Sequence, residues 1–130
     1  KSKGSASGIA RVIFDAYPYA DIYKNRTEDD HPGTVIIKGN GTSERYVVNF
    51  NSQVYPGGIK YPKSLLDGIN AREKYFKLCL NELDKISYNK TIAFPCYIGC
   101  GIAGGNWNNY LKMIEDFAVN HNVFIYRKNP

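Results

Sequence analysis

Apolar positions follow two rhythms along this chain, and the switches between them outline the elements. From Gly8 to Tyr17, Ile9, Ala10, Val12, Ile13, Phe14, Ala16 and Tyr17 crowd one helical stripe, with Ser7 placed as the N-cap and Pro18 closing the run. Tyr19 to Lys24 allows one further short turn of helix, and Asn25 to Gly33, charged and ending in a Pro-Gly step, reads as a surface loop. Thr34–Lys38 and Tyr46–Phe50 are β-branched and aromatic runs separated by Gly39-Asn40-Gly41-Thr42, which predicts two strands joined by a hairpin-type turn. Asn51 to Lys63 carries Pro56-Gly57-Gly58 and Pro62 and reads as a long loop, a class of segment that is often functional.

The helical period returns from Ser64 to Ile86, where Leu65, Leu66, Ile69, Tyr75, Phe76, Leu78, Cys79, Leu80, Leu83 and Ile86 recur every three or four residues. Thr91-Ile92-Ala93-Phe94 is a short continuous apolar run, which predicts a strand buried on both faces. Asn106 to Val119 is a second amphipathic helix, capped by Asn106, and Val123–Tyr126 closes the chain as a strand. The last three elements make a βαβ crossover, so the predicted fold is an α/β class, three-layer α/β/α sandwich with a mixed central sheet.

Length and charge add bounds rather than identity. One hundred and thirty residues make one domain, enough to fold without disulfides or a structural metal. Seventeen Lys and Arg against twelve Asp and Glu leave a net charge of +5, which tolerates an anionic partner, nucleic acid included, but the positive charge forms no block. Three cysteines are too few and too odd in number for a secreted disulfide framework, so a reducing intracellular compartment, cytoplasmic or nuclear, is the expected location. No stretch is long and apolar enough for a spanning helix, and a monomer without membrane contact is expected.

The chemistry concentrates in Pro95–Trp107, which carries four glycines between Gly99 and Gly105, after a strand and before a helix. Glycines there let main-chain N–H groups approach an anion, and the helix N-terminus adds positive potential. The competing explanation is a tight strand-to-helix connection whose glycines serve packing. Gly99-x-Gly101-x-x-Gly104 matches the dinucleotide fingerprint in form, but only one strand follows it and Val123–Tyr126 supplies no ribose-binding acid; no Walker A sequence occurs. Ser7-Gly8-Ile9-Ala10 is a second glycine site at a helix start. Asn49, Asn51, Gln53 and Tyr55 alternate along a strand end, a pattern that either presents amides to a sugar or stabilises the loop. His31 reads as a turn residue, His121 as part of a connection, Cys100 as a small apolar lining residue or a thiol activated by the helix N-terminus, and Cys96 with Cys100 as too few ligands for a metal site.

Taken together, Gly8-Ile9-Ala10, the strand Val47-Val48-Asn49 feeding a Pro-Gly loop, and Ile98–Gly105 followed by Trp107 resemble the macro domain family. The similarity is to the branch holding terminal ADP-ribose protein glycohydrolases and ADP-ribose 1''-phosphate phosphatase-like proteins. It implies an ADP-ribose site lined by Ser7, Gly8, Ile9, Ala10, Asn49, Ile98, Gly99, Cys100, Gly101, Ile102, Ala103 and Gly104, with no cofactor and no metal. ADP-ribose, an ADP-ribosylated protein or nucleic acid are the partners this suggests. If hydrolysis occurs, Asn51 or Gln53 would position the attacking water, most plainly on ADP-ribose 1''-phosphate; the alternatives are reading without catalysis or, from the +5 charge and the tyrosines at Tyr17, Tyr19 and Tyr23, a basic module that binds single-stranded nucleic acid. The chain departs from the family in two places. The family's opening strand and Gly-Asp step have no counterpart, so truncation at the N-terminus is expected, and Phe50 and Ala103 stand where glycohydrolases carry a Lys and an Asp.

Overall fold

The computed structural model describes residues 8–24, 31–55, 57–87, 89–100 and 104–127. It is a mixed α/β structure of three helices and two small sheets: α1 (Gly8–Ala16), a 3₁₀ turn (Pro18–Ala20), β1 (Val35–Lys38), β2 (Val47–Phe50), α2 (Ile69–Ile86), β3 (Thr91–Pro95), α3 (Trp107–Ala118) and β4 (Asn122–Tyr126). α1 ends where a proline forces its predecessor out of helical space: Tyr17 has φ −131° and ψ 77°, and Pro18 then opens the 3₁₀ turn. Ser7, the expected cap, lies outside the described residues, as does the 25–30 loop.

β1 and β2 pair antiparallel from Val35↔Phe50 to Lys38↔Val47. The connection is organised by the Asn40 carboxamide, whose Oδ1 accepts from Thr42 N, Thr42 Oγ1 and Glu44 N. β3 and β4 pair parallel from Thr91↔Asn122 to Pro95↔Tyr126, with α3 as the crossover the sequence predicts. Among the described residues the strands form these two separate two-stranded sheets rather than the one mixed central sheet expected from the pattern.

The principal core joins α2 and α3 to the strands: Phe76, Leu80, Leu83, Phe94, Tyr110, Ile114 and Phe117 are buried together, with Val48, Phe50, Ile92 and Val123 packed against them. Phe50 sits edge-on to both Phe76 and Phe94 at ring distances of 5.4 and 6.2 Å. A second cluster gathers Phe14 and Ala20 with Ile13, Tyr17, Tyr19, Ile22, Tyr23 and Val47, so the tyrosine-rich stretch is packing material. Alternate residues of β2 thus serve different clusters, Val48 and Phe50 one and Val47 the other.

Two expectations need correction. β3 is not buried on both faces: Phe94 is buried, but Thr91 and Ala93 are exposed, and Phe124, paired with Ala93, is 59% exposed. The reason is that Ile92, Phe94 and Val123 pack into the α2–α3 core, which leaves the opposite face of this pair to solvent. The second correction concerns α2, which begins at Ile69 rather than Ser64. The Ser64 hydroxyl accepts from Leu66 N and Asp67 N, and Gly68 N donates to Ser64 O, so 64–68 forms a turn that leaves Leu65 97% exposed. A side chain at Gly68 would collide with the carbonyls of Pro62 and Ser64, which fixes glycine at the end of that turn.

Candidate functional site

Two long connections, 51–68 and 96–106, meet at the start of α2 and α3. The second begins as a continuation of the sheet, with Cys96 N donating to Tyr126 O at 2.8 Å. It then turns sharply through Tyr97 (φ 63°) and Gly99 (φ 75°), held by Ile98 N to Pro95 O and Cys100 N to Tyr97 O. Gly105 N reaches back to Gly99 O at 3.0 Å and closes the loop on itself. The glycines divide by role. A Cβ on Gly99 would lie 2.7 Å from the Tyr110 ring, and one on Gly105 2.6 Å from Gly99 O and 2.7 Å from the same ring, so both exist to let the loop lie on Tyr110. Gly104 (φ 77°) is different, since a Cβ there would make only an ordinary contact, with Ile59 N of the 51–68 connection at 3.9 Å.

The first turn of α3 is partly satisfied from within. Asn106, the predicted cap, has its side-chain oxygen on Asn108 N at 3.0 Å, and Asn109 N and Tyr110 N donate to Asn106 O. Among the described residues the N–H groups of Gly104 and Trp107 have no acceptor. Glu73 of α2 accepts from Asn109 Nδ2 at 2.9 Å. Burial, reinforced by the Glu73 charge, pushes the Cys100 thiol up to about 11, so it stays protonated at neutral pH. This counts against the reading of Cys100 as an activated nucleophile; it is half-buried, and its Sγ donates to Ile98 O. Burial likewise raises Tyr110 to about 12, with Cys100 and Glu73 adding to it.

The amides expected along 49–55 do not converge. Asn49 Nδ2 points to Ala20 O at 3.5 Å, while Asn51, 3% exposed, donates to Thr34 Oγ1 at 3.1 Å and braces the end of β2 against the entry to β1. Gln53 Nε2 donates to Tyr55 O at 2.7 Å and Gly57 O at 3.4 Å. Its nitrogen is committed to the loop, and among the described residues its Oε1 has no donor, which leaves an acceptor for a hydroxyl or a water.

Sequence reasoning missed what holds this loop. Asp67, in the turn before α2, and Arg72, in its first turn, are both buried and face each other in bidentate fashion, Nη2 to Oδ2 at 2.7 Å and Nε to Oδ1 at 3.1 Å. Asp67 also accepts from Val54 N and Tyr55 N, and Arg72 donates to Gly57 O at 2.8 Å and Tyr55 O at 3.3 Å. Burial acts to raise the Asp67 carboxyl, but the Arg72 and main-chain donors outweigh it and hold it below the ordinary 3.8. The available signal is an arginine on the face that Phe76 and Cys79 bury, four residues before the first and seven before the second.

No family model matches this chain, and no curated protein does. A solved protein of unknown function from Bacteroides thetaiotaomicron is similar in fold. The likeness has a TM-score of 0.74 at 24% identity and covers 97% of this chain and 81% of the other. It speaks for the α/β architecture and, at that identity, for nothing finer.

The remaining sequence candidates fall as follows. Gly8 opens α1 and Ala10 packs against the Phe14 cluster, while Ser7, the Ile9 side chain, Gly101, Ile102 and Ala103 lie outside the described residues. Ile98 and Cys100 pack against the principal core. His31 belongs to a turn, its carbonyl accepting from Thr34, and His121 is a brace, bonded to Asp84 at 2.6 Å and stacked on Phe117 at 4.2 Å. Among the described residues no three His, Cys, Asp or Glu are grouped to hold a metal, and no helix is long and apolar enough to cross a membrane.

Proposed function

We propose that this chain binds ADP-ribose as a macro-type domain, its strands forming the middle of an α/β/α arrangement, within a reducing intracellular compartment. The observation that carries the reading is Gly104: an exposed, left-handed glycine whose N–H has no acceptor among the described residues and whose missing Cβ would lie in contact range of Ile59 N, at 3.9 Å. Main-chain N–H groups in that setting suit a diphosphate, and the neighbouring 57–59 loop would supply a second wall to meet a ribose. The resemblance in sequence supplies the identity of the ligand; the similar fold of the Bacteroides protein is compatible with it.

In this reading Gln53 Oε1 accepts from a distal ribose hydroxyl or orients a water, and Asn51 supports the strand end rather than touching substrate. ADP-ribose 1''-phosphate is the substrate to test first, because phosphate release asks for a positioned water and charge stabilisation by N–H groups. Lysine-assisted release from protein carboxylates is not part of the proposal, since Phe50 is locked between Phe76 and Phe94. A non-catalytic reader is the second reading. It is favoured by Cys100 and Tyr110, which burial keeps protonated and which therefore offer no base beside the glycine loop.

A thermal-shift series with ADP-ribose, ADP-ribose 1''-phosphate, NAD and AMP tests the proposal, because a ligand that binds only the folded form raises its melting temperature. Stabilisation by ADP-ribose and its 1''-phosphate, with little from AMP, is the expected result. No shift with any of the four, confirmed by calorimetry, overturns it.

A further inference from the structure

We propose that Asp67 and Arg72 are positioning residues that latch the connection before α2, through Val54, Tyr55 and Gly57, as a preformed wall of the proposed ADP-ribose site. The proposal rests on the ADP-ribose reading for the site and its ligand. The described residues of this connection between Gln53 and Ile59 form no strand or helix, and four of their main-chain polar groups are held by two side chains: Val54 N and Tyr55 N on Asp67, Tyr55 O and Gly57 O on Arg72. The Asp67 carboxylate accepts four hydrogen bonds, its full capacity, so the geometry is over-determined. Gln53 Nε2 grips the same two carbonyls as Arg72, so the guanidinium also fixes the direction in which Gln53 Oε1 points.

The next residue extends the frame. Glu73 accepts from Asn109 in the first turn of α3, so adjacent residues of α2 hold two different elements, Arg72 the loop at Gly57 and Glu73 the helix that follows the glycine loop. A loop ordered before binding spares the ligand the cost of ordering it. A lysine cannot replace the guanidinium here, because a single ammonium cannot reproduce the planar fork that meets a carboxylate and two carbonyls together.

The test uses the full chain with two variants, Arg72→Lys and the paired Asp67→Leu/Arg72→Met, the second removing both charges so that neither is left buried alone. Amide hydrogen exchange at Val54 and Tyr55 is compared with exchange at Phe76, Leu80 and Ile114, and ADP-ribose affinity is measured by calorimetry. The expected result is exchange at least tenfold faster at Val54 and Tyr55, unchanged protection at the three core positions, and affinity at least tenfold weaker. Unchanged exchange in the loop overturns the latch, as does an equal acceleration in loop and core, which would make the pair a prop of the whole fold. A loosened loop with undiminished affinity overturns the positioning role. A wild-type protein that binds no ADP-ribose removes the ligand reading, and the exchange contrast then decides the latch by itself.

Discussion

The two connections proposed as walls of the site are built on opposite plans. The glycine connection before α3 is held by what its residues lack: Gly99 and Gly105 lie flat on Tyr110 because neither carries a Cβ, and among its described residues the internal bonds run between main-chain atoms save that of Cys100 Sγ to Ile98 O. The 53–59 connection is held by what two distant residues add, a buried carboxylate and guanidinium that take the place of a hydrogen-bonding strand. Steric closeness is unforgiving of added atoms and indifferent to charge, while an ion-pair frame is unforgiving of a lost partner. The walls should therefore fail under different perturbations.

The largest difference is expected from removing one half of the pair. Arg72→Met leaves Asp67 buried and uncompensated, which costs about 3–5 kcal/mol where such pairs are broken. Chemical denaturation should show this as a lower midpoint with an unchanged slope. A loss below about 1 kcal/mol would mean that the pair is solvated in solution and that the two walls do not differ in the way described.

Next comes a contrast inside the glycine loop. Gly105→Ala drives a Cβ to within 2.6 Å of Gly99 O, a main-chain atom, and should cost about 1–3 kcal/mol as overpacking does. Gly104→Ala makes only an ordinary contact with Ile59 N at 3.9 Å, so the penalty is the left-handed backbone, about 1–2 kcal/mol, while the new methyl stands where the proposed ligand would approach the Gly104 N–H. Stability should thus fall more in the first variant and ADP-ribose affinity, measured by calorimetry, more in the second. The reverse order would place the ligand elsewhere.

These two plans also explain what the sequence discloses. A wall made of missing side chains is visible in one dimension: four glycines between Gly99 and Gly105 announce it, although only the structure separates Gly99 and Gly105, which pack, from Gly104, where a Cβ would make only an ordinary contact. The alternating strands and the α3 crossover are local or nearly local patterns, and they emerge with boundaries shifted by a residue or so. The Asp67–Arg72 frame is hidden because an arginine among charged neighbours on an amphipathic helix has the same letter whether it points at solvent or at a carbonyl. The late start of α2 is hidden for a related reason, since Leu65 and Leu66 keep the helical spacing although the Ser64 hydroxyl has already diverted their backbone. The alternation of Asn51 and Gln53 is visible in the sequence, but period two says only which side a residue faces, not that its amide will be used by Thr34 or by Tyr55 and Gly57.

The smallest and sharpest difference is in pH. Asp67 titrates below its ordinary 3.8 when folded, so its contribution is complete above pH 4 and is lost as pH falls through the folded value. The other wall runs the opposite way: Cys100 and Tyr110 are raised from 9.0 and 10.0 to about 11 and about 12, so their contribution is complete below pH 9 and fades as the unfolded chain ionises above it. Acid should therefore open the 53–59 loop first, seen as pepsin cleavage near Val54 and Tyr55 while the α2–α3 core stays intact. Alkali should disturb the glycine loop first, seen in the fluorescence of Trp107, the chain's one tryptophan, which packs on Tyr97 at 5.4 Å. If both probes respond at the same end of the pH range, the walls are not independent, and the contrast between a loop held by charge and a loop held by glycine fails.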